Sequence, residues 1–522
     1  MPKPNPSTPT PAEPSATTVL PTATTDDRPP LPPGWVWTTL GEIVAPSLER
    51  ADPNSLAPDT PYIGLEHIEK ETGRLLGHGW ATEVRSTKNV FHAGDVLYGK
   101  LRPYLNKVCI PDFDGVCSTD ILVFPKQDHL DNRFLKYRLL ASDFVRYASL
   151  HVSGVQHPRV HFKQLAKFPV ALPPLPEQRR IVAKIEELFS QLDAAEEGLH
   201  RVQRNLKRYR AAVLKAAIEG RLAPRRGVAP LRPDETGATL LQRILAERRR
   251  KWEEQEWAKL VEKAKKKAAQ TRRKAQGRPA RLKDIPPEEW QAIPEAEYRR
   301  YLPKDDRWKQ RYKEPAPPDT ANLPPLPEGW VWATVEMVGD HKLGKMLDKA
   351  KNKGKLRPYL RNINVRWFGF DLSDIQEMRV LDEELDKVSA KEGDLIICEG
   401  GEPGRAAVWN LSHPIVLQKA LHRVRLFDGV LPHYLMYCLA ADAANGRLER
   451  YFTGSTIKHF TGQALRRYVF PLPPLGEQRR IVAEVERRLS VAREAEKAVE
   501  ANLKRIARLR QAILKRAFEG RL

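Results

Sequence analysis

The chain has 522 residues, a formal net charge of +22 and a pI near 9.7. This length is enough for several domains, and the positive charge favours a polyanionic partner, most simply nucleic acid. No apolar run approaches the roughly eighteen residues of a membrane span, and the N-terminus lacks a signal-peptide core, so we expect a cytoplasmic protein.

The four cysteines are spaced singly, without a C-x-x-C pair. They are Cys109, Cys117, Cys398 and Cys438. This spacing argues against a zinc ribbon and a disulfide framework, and it predicts small buried thiols.

A tail and a first domain open the chain. Residues 1–30 are mostly Pro, Thr, Ala and Ser, with too little apolar surface to order themselves, so we predict a disordered tail. A first domain, 31–171, begins with LPPGWVWTTL. The β-branched and aromatic run after Gly94 and Asp95 predicts a short strand, and 134–140 predicts a short helix. The domain is therefore mixed α+β.

A long helix is predicted for 172–222, which begins LPPLPEQRRIV. Pro173 and Pro174 bar the preceding residues from helix. Glu177 then places a carboxylate in the first turn, beside free N–H groups and the positive end of the helix dipole. Apolar residues recur at steps of four and three, a heptad seam that needs a partner helix. The seam residues are Ile181, Ile185, Leu188, Leu192, Leu199 and Leu206.

An unduplicated charged helical insert and linker follows, 223–322. It combines a strongly charged predicted helix, 240–270, with a Pro-punctuated stretch. The aromatic residues of that stretch are Trp290, Tyr298, Tyr301 and Trp308. One interpretation is a basic arm that grips DNA. The other is a solvated helical hairpin that extends the coiled coil, with Arg/Lys–Glu pairs screening one another.

The remainder repeats the first half at a nearly constant offset. LPEGWVWATV at Leu326 marks a second domain, 323–471, and LPPLGEQRRIV opens a second long helix, 472–522. Both helices run without a gap to the same ending, Glu-Gly-Arg-Leu, so the chain is an internal duplication. The second seam consists of Ile481, Val485, Val499, Ile506, Leu509 and Ile513.

These repeats predict the fold class α+β, with two tandem α+β domains separated by long helices and a pseudo-two-fold internal repeat. The seams favour pairing of the two long helices with each other. In the alternative, each helix packs on its own domain as an ordinary amphipathic helix.

No catalytic constellation emerges. The segment 94–101 superficially matches a P-loop, but Leu101 stands where Ser or Thr must hold Mg²⁺. The Asn/Asp-Pro-Pro-aromatic signature of amino-methyltransferases and the H-E-x-x-H metalloprotease spacing do not occur. Glu66, His67 and Glu69 lie together but resemble an ordinary polar strand edge or base-reading loop.

The phrases LPPGWVWTTLGEI, FHAGDVLYGKLRPYLNKV and LPPLPEQRRIVAKIEELFSQLDAAEEGL resemble the specificity subunit of type I restriction-modification enzymes. The resemblance extends over 31–522 in the order domain, helix, domain, helix. It implies that each domain is a target recognition domain for one half of a split, asymmetric DNA site. It also implies that the helices pair as an antiparallel coiled coil, which sets the half-site spacing. The long insert and the tail depart from the shortest family members.

The resemblance also implies partners. Two methyltransferase (modification) subunits would dock on the helices, and restriction (motor/nuclease) subunits would join that complex. The chain itself is then a non-catalytic, metal-free and cofactor-free subunit. S-adenosylmethionine, ATP and Mg are expected in the partner subunits, and no membrane partner is expected. Two rivals are a self-sufficient restriction or methylation enzyme and a basic coiled-coil protein that organises DNA without reading sequence.

In each domain, two turn segments are predicted to contact double-stranded DNA, because they carry side chains that reach base edges and phosphates. The segment after the Gly-Asp strand supplies Lys100, Arg102, Tyr104, Asn106 and Lys107 in the first domain and Arg405 in the second. The glycine loop supplies Gln156, His157 and Arg159 in the first domain and Ser455, Thr456, Lys458 and His459 in the second. The alternatives are that LRPYL packs the domain and that the glycine loops are plain surface turns.

Overall fold

The computed structural model describes residues 29–222, 235–348 and 350–522. Most of the predicted N-terminal tail and residues 223–234 of the insert lie outside the described residues. The chain forms two compact units, residues 1–201 with 499–522 and residues 202–498. Each unit contains one of the two repeated domains together with part of each long helix.

Among its described residues, the first unit contains ten strands around a small set of helices. The strands are β1 Val36–Thr39, β2 Arg50–Ala51, β3 Pro61–Ile63, β4 Gly79–Trp80, β5 Lys88–Phe91, β6 Val96–Gly99, β7 Val108–Cys109, β8 Gly115–Cys117, β9 Ile121–Phe124 and β10 Pro169–Leu172. The helices are α1 Leu40–Ile43, α2 Asn132–Leu140, α3 Ser142–Leu150, α4 Phe162–Leu165 and the long α5, Leu175–Ile218, whose last part belongs to the second unit. The sheets have the orders β2-β5-β8-β3-β4, β7-β6-β9 and β1-β10.

The core of the first unit lies between the β6 sheet and helices α2 and α3. Asp131 caps α2, because its carboxylate accepts from the N–H groups of Arg133 and Phe134. Phe134 and Phe144 are 1% and 0% exposed. The predicted strand after Gly94-Asp95 and the helix at 134–140 are both confirmed, at β6 and α2.

The described part of the insert, from residue 235 onwards, contains a 39-residue helix, α6 Gly237–Ala275, longer than the predicted 240–270. Two short helices follow, α7 Pro287–Gln291 and α8 Glu295–Tyr298. Leu240, Leu241 and Ile244 are buried in the core of the second unit. This helix of the insert is therefore anchored in the core of the second unit. Extension of the coiled coil by the insert stays a prediction.

After the insert, the part of the second unit that the structure describes has twelve strands and five helices. The strands are β11 Val331–Thr334, β12 Gly339–Leu343, β13 Lys355–Leu360, β14 Val365–Arg366, β15 Gly369–Phe370, β16 Gln376–Val380, β17 Ser389–Ala390, β18 Leu395–Cys398, β19 Ala406–Val408, β20 Ile415–Leu417, β21 Leu421–Leu426 and β22 Val469–Leu472. The helices are α9 Val335–Val338, α10 Leu385–Val388, α11 Pro432–Ala444, α12 Gly462–Arg466 and the long α13, Leu475–Phe518, whose last part belongs to the first unit. The sheets have the orders β12-β21-β18-β19, β16-β13-β20-β17, β14-β15 and β11-β22.

Short 3₁₀ turns connect these elements. They span Pro53–Ser55, Leu65–His67, Ala81–Glu83, Pro103–Leu105, Leu282–Asp284, Arg299–Tyr301, Asp306–Arg311, Asn362–Asn364, Asp382–Glu384 and Arg447–Tyr451.

The two domains repeat one topology, so the duplication in the sequence is also a duplication of structure. Strand β3 pairs in parallel with β8 in the first domain, and β13 pairs in parallel with β20 in the second. Tyr62 lies opposite Val116, and the echoed Tyr359 lies opposite Val416. A parallel pair needs a long crossover connection, so its recurrence at matching positions is strong support for a common ancestor domain.

Each long helix starts on its own domain, where a buried glutamine joins the two. Gln178 is 1% exposed; its amide donates to the Pro173 carbonyl at 2.9 Å and accepts from the Asp131 N–H at 2.9 Å. Gln478 is 0% exposed and bonds in the same way to Pro473, Gly429 and Leu431. These contacts explain why both helix starts carry a glutamine at this position after the prolines.

Within the first unit, α5 and α13 run antiparallel. Arg510 pairs with Asp193 and, at 2.8 Å, with Glu196. Nearer the other end, Arg180 donates to the Leu522 carbonyl at 3.0 Å. Within the second unit, Arg210 of α5 pairs with Glu496 of α13 at 2.7 Å. The antiparallel pairing is thus observed separately in each unit.

The predicted seam is buried most deeply where the helices also meet a domain. Ile181, Ile185, Ile481, Val485, Val499 and Ile506 are buried, and Leu188, Leu192, Leu199, Leu206 and Ile513 are half-buried. Leu509 is 40% exposed, so its assignment to the seam is wrong. A helix of 3.6 residues per turn drifts from a strict heptad, and the neighbouring Leu514 and Ala517 fill the core in its place.

All four cysteines are buried and unbridged, as their spacing predicts. Burial raises the pKa of Cys398 to about 11, so its thiol stays protonated at neutral pH. In the parts of the chain that the structure describes, no helix is both long enough and apolar enough to cross a membrane.

A histidine pair makes the second unit sensitive to acid. The His422 ring lies 2.8 Å from the Phe460 carbonyl and 2.8 Å from the His341 ring. Burial, with the nearby charges of His422, Arg466 and Arg423, lowers the pKa of His341 from 6.5 to about 4. The unfolded chain therefore takes up protons first as the pH falls, and stability present above pH 6.5 is lost towards pH 4.

We expect His341→Gln to flatten the dependence of unfolding free energy on pH between about 6.5 and 4, because the glutamine amide keeps a donor without titrating. Urea unfolding at several pH values measures this. The exposed His413→Gln is the control and should leave the slope unchanged. An unaltered slope in the His341 variant would show that the pair does not drive the acid response.

Candidate nucleic-acid interface

In the first unit, residues 153–159 form a loop that is closed at its neck. The Ser153 N–H donates to the Arg159 carbonyl at 2.8 Å, and the Arg159 N–H donates back to Ser153 at 2.9 Å. Gly154 has a φ of +88°, which glycine adopts without steric cost. Residues 155–157 at the tip are exposed. The loop therefore has a fixed base and a solvent-facing tip.

The second predicted segment, 100–107, lies against this neck. The Arg102 N–H donates to the Pro158 carbonyl at 2.7 Å, and the Val160 N–H donates to the Lys100 carbonyl at 3.1 Å. The two segments, more than fifty residues apart in sequence, thus form one continuous surface.

An ion pair joins the base of the loop to the turn between β8 and β9. Arg159 donates to both carboxylate oxygens of Asp120, at 2.7 and 2.9 Å. The hydrogen bonds from this guanidinium lower the pKa of Asp120 below its ordinary value. A bidentate arginine–carboxylate pair fixes orientation as well as distance, so Arg159 positions the loop.

We expect Asp120→Ala to loosen the loop without unfolding the domain, because only one of its anchors is removed. Hydrogen–deuterium exchange at the amides of 153–159 should become roughly tenfold faster, as expected for an equilibrium shift of about 1.4 kcal/mol. The control is Asp128→Ala, which removes a carboxylate that has no ion pair in the structure as described. Unchanged protection in the loop would contradict the anchoring role.

The second domain repeats this arrangement with different side chains. Thr453 and His459 close the neck through reciprocal backbone hydrogen bonds of 2.9 and 2.8 Å. The Phe460 N–H donates to the Glu399 carbonyl at 2.7 Å, as Val160 does to Lys100. The framework is therefore common to both domains, while the tips differ in chemistry.

The predicted contact residues fall into three groups. Those exposed to solvent are Arg102, Tyr104, Gln156, His157, Ser455, Thr456, Lys458 and His459. Those half-buried are Lys100, Lys107, Arg159 and Arg405. Asn106 is buried. Tyr104 is 53% exposed, so within LRPYL it is Pro103, and not the tyrosine, that packs the domain.

Asn106 and Arg405 are held by the protein itself. Asn106 is 4% exposed and its amide donates to the Leu140 carbonyl at 3.0 Å. Arg405 pairs with Glu402 at 2.7 Å and donates to the Asn362 carbonyl at 2.8 Å. Burial makes the assignment of Asn106 to the DNA-facing surface wrong. Arg405 is half-buried, and its contact with DNA stays a prediction.

Two exposed aliphatic residues at the loop tips were not among the predicted DNA contacts. Val155 is 99% exposed and Ile457 is 65% exposed. A β-branched side chain this exposed in each of two matching loops can contact a thymine methyl group or a base step. The available signal was a branched aliphatic residue inside a short run of glycine and polar residues.

Among the residues described, the two domains share one fold and a closed loop at matching positions, which defines a duplicated two-domain protein. Residues 32–203 and 327–505 match the family described as the type I restriction modification DNA specificity domain. These stretches make up about two thirds of the chain, and the chain belongs to this family.

Known relatives agree with this membership. The chain is 33% identical over 227 residues to the type I restriction enzyme EcoDI specificity subunit of Escherichia coli, covering 42% of this chain and 50% of that one. It is 31% identical over 181 residues to the EcoKI specificity subunit of E. coli K12, covering 33% and 39%. The chain thus spans half or less of the length of these curated relatives in the matched stretches.

A solved structure supports the fold. A chain from a study of complex assembly and conformational transition of the type I R-M system aligns with a TM-score of 0.60 at 22% identity. The alignment covers 95% of this chain and 100% of that chain. At this identity, the likeness concerns the arrangement of helices and strands.

Proposed function

We propose that this chain is the DNA sequence-recognition (specificity) subunit of a type I restriction-modification complex. The observation that carries the proposal is the pair of matching closed loops, which share a backbone framework but present different tips. Identical frameworks give each domain the same way of meeting a duplex, and different side chains read different bases. The target is then bipartite and asymmetric.

The partners follow from this role. Two methyltransferase subunits dock on the outer faces of α5 and α13, and restriction subunits join them. S-adenosylmethionine, ATP and Mg act in those partner chains, while this chain supplies binding and geometry without a catalytic step. The exposed Arg, Lys and Glu residues along the long helices offer the polar surface that such docking needs.

The test is to co-express the chain with its neighbouring methyltransferase subunit and map methylated adenines by single-molecule sequencing. The expected result is one two-part asymmetric motif. Exchanging one domain for that of a related chain should change only one half of the motif. A stable complex that binds every duplex equally, with no motif, would favour a basic coiled-coil protein that organises DNA without reading it.

A further inference from the structure

The positive charge of the insert is concentrated at one end. Between Lys259 and Lys283 there are eleven Lys and Arg residues and one Glu. Nearer the domain, the stretch from Arg243 to Glu256 contains five basic and four acidic residues. We name 237–314 the arm and 259–283 its tip. The tip is therefore a strongly basic surface on a nearly neutral stem.

The arm is firmly rooted in the second domain. The Gly237 N–H donates to the Gly329 carbonyl at 2.6 Å, and Leu240 and Ile244 lie in the domain core. Further along, the Lys251 ammonium lies 5.1 Å from the centre of the Phe427 ring. A helix attached in this way holds its far end at a defined distance from the domain.

Beyond this root, the return segment of the arm covers the apolar side of α6. Trp308 lies 6.2 Å from Trp252 and 5.5 Å from Trp257 between ring centres. Nearer the tip, the buried Ala269 packs in a cluster with Ile285 and Ile293. Because the arm closes its own hydrophobic core, what it presents to a partner is mostly charge.

Buried bonds also fix the shape of the tip. Arg273 pairs with Glu289 and donates to the carbonyls of Pro279 at 3.0 Å and Asp284 at 2.9 Å. These bonds clamp the turn at the end of α6. The basic surface is thus carried on an ordered scaffold, which lowers the entropy cost of binding.

Several cations of the tip have no acidic partner. Lys263, Lys274, Arg281 and Lys283 are exposed and form no ion pair within the part of the chain that the structure describes. On α6, four lysines line a shallow groove together with Glu262: Lys259, Lys263, Lys266 and Lys267. Two of them pair with glutamates, Lys259 with Glu256 and Lys266 with Glu262, while Lys263 and Lys267 are exposed and form no ion pair among the described residues. Exposed ammonium groups without an acidic partner suit the phosphates of a polyanion.

The root of the arm and the loop 453–459 lie at opposite ends of the sheet that contains β21. Strand β21 begins at Leu421, which pairs with Cys398 beside the loop framework, and ends at Leu426, which pairs with Gly339. The arm contacts the second domain at Phe427, the residue that follows the end of β21. Six strand residues separate the two ends by roughly 17–20 Å. The root of the arm and the loop framework therefore lie at opposite ends of β21.

We propose that the arm tip, 259–283, binds the phosphate backbone of double-stranded DNA outside the recognition site, without reading sequence. The unpaired cations on the clamped tip neutralise phosphates and release condensed counterions. This contact adds affinity and retention on any duplex and leaves base discrimination to the loops. The proposal goes beyond the recognition role and does not depend on the identity of the target.

The test uses the full chain carrying Lys263→Gln, Lys274→Gln and Lys283→Gln, with binding to a long random-sequence duplex measured by fluorescence anisotropy at several salt concentrations. Each phosphate contact contributes about 0.9 to the slope of log affinity against log salt, so three lost contacts should lower the slope by about 2.7. The matched control is Lys126→Gln, Lys387→Gln and Lys391→Gln, which removes the same charge from exposed positions outside the arm, the two loops and the long helices.

The expected result is a reduced slope for the arm variant and a slope near the parent value for the control. An unchanged slope in the arm variant, or an equal fall in both variants, would overturn the proposal. Loss of co-purifying partner subunits with an unchanged slope would also overturn it, because the tip would then be a protein-docking surface. The methylation motif should be the same in both variants, which separates this outcome from a failure of the recognition role.

Discussion

Replacing Gln478 with leucine should destabilise the second unit by about 3–5 kcal/mol, although the two side chains are similar in size. The buried amide donates to the Pro473 and Gly429 carbonyls, both at 3.0 Å, and accepts from the Leu431 N–H at 2.9 Å. Leucine leaves these three backbone groups without their partner, the Pro473 carbonyl in a buried position and the other two in partly buried ones, and each unsatisfied buried group costs about 1–3 kcal/mol.

Urea unfolding followed by far-UV circular dichroism measures this loss. The control is Gln255→Leu on the exposed surface of α6, for which we expect a change within about 0.5 kcal/mol. Gln178→Leu should have a comparable effect on the first unit, because the bonds repeat there. A loss below about 1 kcal/mol at Gln478 would show that water replaces the amide.

Replacing Gln156 and His157 with alanine should abolish discrimination at one half of the DNA target and leave the other half intact. Both side chains lie at the exposed tip of the first-domain loop, and a good base contact is worth about 1–3 kcal/mol, or roughly 10–100-fold per contact. Competition binding with duplexes mutated in either half measures the effect.

The matched variant in the other domain is Ser455→Ala with Thr456→Ala. We expect it to relax the opposite half-site, because these residues occupy the corresponding tip. Equal loss of affinity on unrelated duplexes in either variant would mean that the loops hold phosphate and do not read bases. Arg159→Ala should differ from both, since it removes the ion pair with Asp120 and should loosen the first loop as Asp120→Ala does.

In the helix seam, periodicity in the sequence predicts the helices, and packing decides which of their residues are buried. Steps of four and three were enough to predict α5 and α13 and most of their buried residues. The same rule placed Leu509 inside, where it is 40% exposed. Periodicity describes one helix face, whereas burial depends on which domain surface meets that face at each turn.

The candidate DNA interface of the first domain likewise depends on both sequence and tertiary structure. Glycines, turn residues and polar side chains were enough to select 100–107 and 153–159 as separate candidates. Only their hydrogen bonds in space showed that they form one surface, and only burial showed that Asn106 faces inwards. Likewise, the repeated Glu-Gln motif pointed to a helix start, but the partners of Gln178 lie in the folded domain.

The sequence alone determined the duplication, the α+β class, the long helices and the family, because repeats and apolar periodicity are properties of the linear chain. The tertiary structure decided which polar groups face solvent, how the insert closes on itself and where its charge is exposed. Those features depend on contacts between residues far apart in sequence, whose partners no local pattern specifies.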